Sequence, residues 1–125
     1  MNKKNRVRAL SVKQPFAEAI LRGRKIYEVR DGPVRIRGRI YIYASKGLPN
    51  EGQKQQAERY YDELDANPGD FQVGVLVGTV EIFHCDGGPK PIKYRWHLRA
   101  PERLPEPIQP QNRAQQVWFF PFRDK

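Results

Sequence analysis

Lys25, Glu28 and Arg30 follow closely on Gly23, and nothing about packing a core asks for three ionisable side chains there. Lys25 and Arg30 can hold phosphate, the arginine through two parallel N–H···O bonds. Glu28 can accept from the amino group of a base or take up a proton. The structural alternative is that Glu28 pairs with Lys25 or Arg30 and pins a helix–strand junction. Upstream, Ser11 and Gln14 are polar residues at a strand-to-helix turn, placed to cap the helix or to touch a ligand. Arg35, Arg37 and Arg39 alternate about Gly38, which suits either a phosphate-tracking surface or a solvated face. Ser45 and Lys46 follow a core strand and can line the same cleft. Phe16, Tyr41, Tyr43 and Trp96 are candidates for stacking on bases or for the core, and Trp118 and Phe119 read as core.

The elements that must position these residues are short. Residues 7–12 form an apolar strand, and Pro15 suits the first turn of a helix because its missing N–H would be unpaired there anyway. Phe16, Ala17, Ile20 and Leu21 recur at helical spacing, and Gly23 suits a left-handed stop. Residues 26–30 read as a strand, with Tyr27 and Val29 on one face and Ile26, Glu28 and Arg30 on the other. Lys25 has the opposite parity from Glu28 and Arg30, so the three converge only if the chain bends after Gly23. Asp31-Gly32-Pro33 is a turn.

Further along, residues 39–44 alternate, with Ile40, Ile42 and Ala44 on one side. A second helix is expected over 49–67, with Ala57, Tyr60, Tyr61 and Leu64 as its apolar stripe. Residues 73–85, with Gly74 and Gly78, read as a long bent strand or a barrel corner. A loop at 87–89 and a strand at 94–98 follow. The four prolines of 101–110 suggest an extended surface crossing, and 117–122 closes the chain as a strand. The pattern is α+β, a small and partly open β-barrel with two helices, forming a single domain over residues 1–125.

The formal charge of +9 is unevenly placed. Residues 1–46 carry thirteen Lys and Arg against Glu18, Glu28 and Asp31, a balance of +10, whereas the remainder comes to −1. The basic excess therefore sits with the candidate site, which favours polyanions: nucleic acid first, an acidic membrane second. One cysteine, Cys85, rules out an internal disulfide. His84, Cys85 and Asp86 resemble a metal fragment only superficially, and with His97 the sole other imidazole no metal site is expected. No Gly-rich phosphate loop or nucleophile elbow occurs, and no cofactor is expected. The apolar stretch after the basic start is too short for a signal-peptide core, and nothing approaches the roughly 20 apolar residues of a membrane span. A cytoplasmic monomer without a membrane partner is expected.

Gly23-x-Lys25-x-x-Glu28-x-Arg30, preceded by Ser11-x-x-Gln14-Pro15, resembles the signature of the ASCH domain (activating-signal-cointegrator homology), within the PUA-like superfamily. The likeness continues through Arg37-Gly38-Arg39-Ile40-Tyr41-Ile42-Tyr43-Ala44-Ser45-Lys46 and Gly74-Val75-Leu76-Val77-Gly78-Thr79-Val80-Glu81. It ends with Tyr94-Arg95-Trp96 and Val117-Trp118. The resemblance implies a PUA-like β-barrel of five to six mostly antiparallel strands flanked by two helices. It also implies RNA or nucleotide binding in a cleft beside the first helix, where the Lys, Glu and Arg of the signature meet. Related PUA-like pockets accept a base turned out of its stack. Some small relatives are amidohydrolases that deacetylate acetylcytidine with a Lys and a Thr among their catalytic residues, and others are ribonucleases. Lys25 matches that Lys, but Glu28 stands where the Thr belongs, so a hydroxyl nucleophile is missing.

The leading expectation is a module that binds nucleic acid (RNA more than DNA) or a nucleotide, through Ser11, Gln14, Lys25, Glu28, Arg30, Arg35, Arg37, Arg39, Ser45 and Lys46. The runner-up is a small hydrolase acting on a modified nucleoside or on RNA, with Lys25 and Glu28 catalytic. A third reading is a protein-interaction domain that docks an acidic partner on the Arg35, Arg37 and Arg39 face.

Overall fold

A computed structural model describes residues 6–123. In chain order the elements are β1 (Ala9–Lys13), α1 (Phe16–Leu21), β2 (Tyr27–Arg30), β3 (Gly38–Ser45), α2 (Lys54–Glu63), β4 (Val75–Gly88), β5 (Lys93–Ile108) and β6 (Trp118–Phe119). All six strands belong to one sheet in the order β2-β5-β4-β3-β1-β6. Only β1 and β3 run parallel; their connection passes through α1 and β2, long enough for such a crossover.

The sheet curls into a half-barrel because it buries one face around α1. Leu10 and Val12 from β1, Ile40, Ile42 and Ala44 from β3, Val80 and Ile82 from β4, and Trp96 and Leu98 from β5 share a core with Ala17 and Ile20 of α1. Ala57 of α2 joins them. Each such aliphatic side chain taken fully out of water contributes about 1.5–3 kcal/mol. A smaller cluster of Ala9, Tyr43, Leu76 and Phe119 lies apart from the first.

Side chains, not backbone ladders, bring the two ends of the sheet together. Arg30 on β2 donates from Nη2 to the Ser11 carbonyl on β1 at 3.2 Å. The rings of Trp96 on β5 and Trp118 on β6 stack with centroids 5.8 Å apart and planes 9° apart. Trp96 is therefore a core residue, 4% exposed, whose indole N–H is taken up by the Gly32 carbonyl, and it has no face left for a base.

Several expected elements differ in extent, and the closing strand expected over 117–122 is only Trp118–Phe119. The second helix is shorter: a 3-10 turn at Glu51–Gln53, closed by a capping box between Asn50 and Gln53, precedes α2. The expected loop at 87–89 starts later, because Gly87 and Gly88 still pair with Tyr94 and Lys93.

The proline-rich stretch is the larger correction. Residues 101–108 are not a loose crossing but the second half of β5, paired with β4 across register shifts. Ala100, at φ 51, sits in one of these irregularities. The pairing of β5 with β2 ends at His97 and Tyr27, followed by one bond from the Leu98 N–H to the Ile26 carbonyl; beyond it, no other strand among the described residues pairs with the outer side of β5. Pro101, Pro105 and Pro107 fall at or between these register shifts, where the ladder is interrupted and a missing N–H is tolerated. No helix among the described residues is long and apolar enough to cross a membrane.

Candidate functional site

The site begins with the way α1 ends. Gln14 folds its side chain over the start of the helix, and its Oε1 accepts from the Glu18 N–H at 3.0 Å. At the other end Gly23 takes φ +73, and the N–H groups of Arg24 and Lys25 both donate to the Ala19 carbonyl, at 2.9 and 3.1 Å. This turn reverses the chain before β2 begins, so the strand-parity conflict between Lys25 and the other two residues disappears. Lys25 reaches Glu28 from the turn.

The three side chains form one connected ion cluster. Lys25 Nζ lies 3.3 Å from Glu28 Oε1 and donates to the Tyr27 carbonyl at 2.7 Å. Arg30 Nε and Nη2 donate to Glu28 Oε2 at 3.1 and 2.8 Å. The Lys25 and Glu28 side chains are only 8% and 9% exposed, while that of Arg30 is 22% exposed, with its guanidinium 5.5 Å from the Trp96 ring. Both carboxylate oxygens of Glu28 are thus engaged by cations. The structural alternative is realised, in that Glu28 binds both neighbours and holds the junction.

The cluster also forms one wall of a cleft of about 720 Å³. The parallel register of β1 and β3 sets Ser11 beside Tyr43 and Lys13 beside Ser45, so the C-terminal ends of two strands present Ser11, Lys13, Ser45 and Lys46 opposite β2. Gln53 and Gln56 enclose one side, residues 114–117 another, and Lys93 reaches in from the start of β5. Ser11 ties the 114–117 wall down: its hydroxyl donates to the Gln115 carbonyl at 2.6 Å. Five cations, Lys13, Lys25, Arg30, Lys46 and Lys93, face the cleft against the single acid Glu28, which is itself neutralised by its two partners. A focused positive field over a concave, partly apolar surface is suited to an anion carrying a ring.

Of the residues expected from the sequence, Ser11, Lys25, Glu28, Arg30, Ser45 and Lys46 share this cleft. Gln14 does not; it is buried, capping α1 and donating to the Gln72 carbonyl at 3.1 Å. Arg35, Arg37 and Arg39 also lie outside it. β3 starts only at Gly38, so Arg35 and Arg37 precede the strand and do not share a face with Arg39. Arg37 donates to the Val34 and Ile36 carbonyls, and Arg39 to Thr79 Oγ1 and the Ala100 carbonyl. Arg39 stands at the opposite end of β3 from Ser45.

Phe16 and Tyr43 line the cleft while packing edge-on against Tyr60 and Phe119, and Tyr41 packs against Phe122 instead. Lys13, Lys93, Gln53, Gln56 and Gln115 were missed. Lys13 shares strand parity with Ser11, a usable signal; the others arrive through tertiary folding. Lys3 and Lys4, part of the basic excess, lie outside the described residues.

Glu18 is the other deeply buried carboxylate, and it is structural. Burial alone would raise its pKa. Hydrogen bonds from Arg103 (3.0 and 2.6 Å) and Arg22 (2.7 Å), with their charges, more than offset this and hold it below the usual carboxylate range. The pairing ties α1 to the outer half of β5. No group of three or more His, Cys, Asp or Glu able to hold a metal ion occurs among the described residues.

Comparison with known proteins agrees with this architecture. The family model described as the ASCH domain matches residues 10–104. Activating signal cointegrator 1 of Homo sapiens is 32% identical over 80 residues, which cover 61% of this chain but 14% of that protein. The Mus musculus protein of the same name is 31% identical over a stretch of the same extent. The chain thus matches only a small part of these much longer relatives. The crystal structure of ASCH from Zymomonas mobilis superposes with a TM-score of 0.62 at 14% identity, over 93% of this chain and 87% of that one, a likeness of fold.

Proposed function

Because the chain belongs to the ASCH domain family, we propose that its cleft binds RNA or another single-stranded nucleic acid, in the manner of a PUA-like pocket. The observation that carries this reading is the charge of the cleft: five cations on its walls and one acid, already paired. Lys13, Lys46, Lys93 and the outer edge of Arg30 meet phosphates, while the buried Phe16 and Tyr43 form the floor beneath them. Lys25 and Glu28 hold the wall in place. Their mutual engagement supports a binding module over a hydrolase built on the two, since neither side chain is left to attack or to shuttle a proton. The one continuous sheet supports a single domain, and the free Cys85 suits a reducing cytoplasm.

The test is fluorescence anisotropy with labelled single-stranded RNA and DNA of one sequence, titrated between about 50 and 200 mM salt. Four phosphate contacts give a slope of log K against log salt of about −2.8 on a single strand, and Lys46→Gln makes it shallower by about 0.7. Absence of binding at low salt, or binding indifferent to salt, refutes the reading. Incubation with acetylcytidine and with RNA checks for turnover, which would favour the enzyme.

A further inference from the structure

A second pocket, of about 480 Å³, adjoins the cleft, and Gln115 lines both. Its walls include Arg8, Arg113, Asn112, Trp118 and Phe120, with no acidic side chain among them. Phe120, just after the last strand, is 43% exposed. The Arg8 guanidinium lies 5.2 Å from the centre of that ring. The backbone under the ring is firmly held: Asn112 Nδ2 donates to the Phe120 carbonyl at 2.7 Å, and the Gln111 and Asn112 N–H groups donate to the Pro121 carbonyl at 2.8 and 3.0 Å. The pocket therefore offers a partly exposed aromatic ring with the Arg8 guanidinium over one face, and Arg113 in the same lining, next to a cationic cleft. An acidic protein surface would use the arginines but leave the ring unexplained. A lone hydrophobic partner would use the ring but leave the arginines unexplained. A nucleotide uses both, the base stacking on the ring and the phosphates meeting the cations.

The geometry points to a second nucleotide subsite at Arg8, Arg113 and Phe120, so that the protein takes a single-stranded oligonucleotide running from the cleft past Gln115 onto Phe120. This inference rests on the nucleic-acid reading of the cleft and extends it from a single nucleotide to a strand. Gln115 and Phe120 are five positions apart, at most about 18 Å along the chain. Because Gln115 lines both pockets, a short oligonucleotide such as a hexamer is long enough to cover the two.

The experiment compares uridine monophosphate with a mixed-sequence hexaribonucleotide on wild type, Phe120→Ala, the pair Arg8→Gln with Arg113→Gln, and Lys46→Gln in the cleft. Circular dichroism checks that each variant folds. Wild type is expected to bind the hexamer more tightly than the mononucleotide. Phe120→Ala should weaken hexamer binding by about tenfold, the loss of one stacked base. The arginine pair should make the hexamer salt slope shallower by about 1.4, two phosphate contacts on a single strand. Uridine monophosphate should still bind both variants through the cleft, whereas Lys46→Gln weakens it there; if Phe120→Ala does not fold, the arginine pair alone decides. Hexamer binding that falls with Lys46→Gln but is untouched by the Phe120 and arginine changes overturns the subsite and leaves the cleft reading standing. Binding of neither probe overturns both.

Discussion

Replacing Glu28 by Gln removes the one negative charge from a nearly dry cluster while keeping its shape. Lys25 and Glu28 are 8% and 9% exposed at the side chain, and Arg30 is 22% exposed. Breaking a buried pair by removing one partner costs about 3–5 kcal/mol, because a charge is left uncompensated. Three features bring the cost to or below the lower end of that range. Arg30 keeps the Ser11 carbonyl and the Trp96 ring, Lys25 keeps the Tyr27 carbonyl, and the new amide oxygen still accepts. The expected loss is then about 2–3 kcal/mol, or, at about 4 °C per kcal/mol for a domain of this size, a fall in Tm of about 8–12 °C. Thermal unfolding followed by circular dichroism at neutral pH, with urea unfolding as a second measure, reads this directly. Lys25→Met combined with Glu28→Gln should cost at least 1 kcal/mol less than the two changes summed, since the groups are in contact. A Glu28→Gln protein melting within about 2 °C of wild type, or a strictly additive double variant, refutes the claim that this cluster holds the junction of α1 and β2.

Two further outcomes follow from other parts of the molecule. Gly78→Ala places a methyl group against Leu21 Cδ2 and the Glu102 carbonyl oxygen, so urea unfolding should show a loss of about 1–3 kcal/mol while the folded fraction still binds. Glu18 is held below its ordinary 4.5 when folded, so its contribution to stability is complete above about 4.5 and is lost as pH falls through the lower folded value. Wild type should therefore lose stability on acidification below about pH 4.5, and Glu18→Gln should be weaker at neutral pH and flatter in that window; equal slopes refute the assignment.

Much of the cleft could be read from local sequence because the residues that build it lie on short, well-punctuated elements. Gly23 announced the turn that brings Lys25 round, and the alternation of β3 fixed which residues face the core. The arginines at 35, 37 and 39 misled for a specific reason. An alternating pattern carries facing information only inside a strand, and here the strand begins at Gly38, after two of the three. The prolines of β5 misled in the opposite direction, because proline argues against a strand only where a neighbour needs its N–H, and neighbour identity is not a local property. Lys93, Gln53 and Gln115 reach the cleft through long-range packing that no window of sequence contains. Trp96 shows the same limit from the core side: its stacking partner, Trp118, is 22 residues away in the chain.

The borders of the sheet also bear on how the molecule behaves in a crowd. Its two outermost strands, β2 and β6, are four and two residues long. Among the described residues, the outer half of β5 pairs with β4 alone, and it carries Pro101, Pro105 and Pro107. Short borders and missing donors deny an incoming strand the continuous ladder that lets one copy extend the sheet of another. The half-barrels can thus be crowded side by side without polymerising edge to edge.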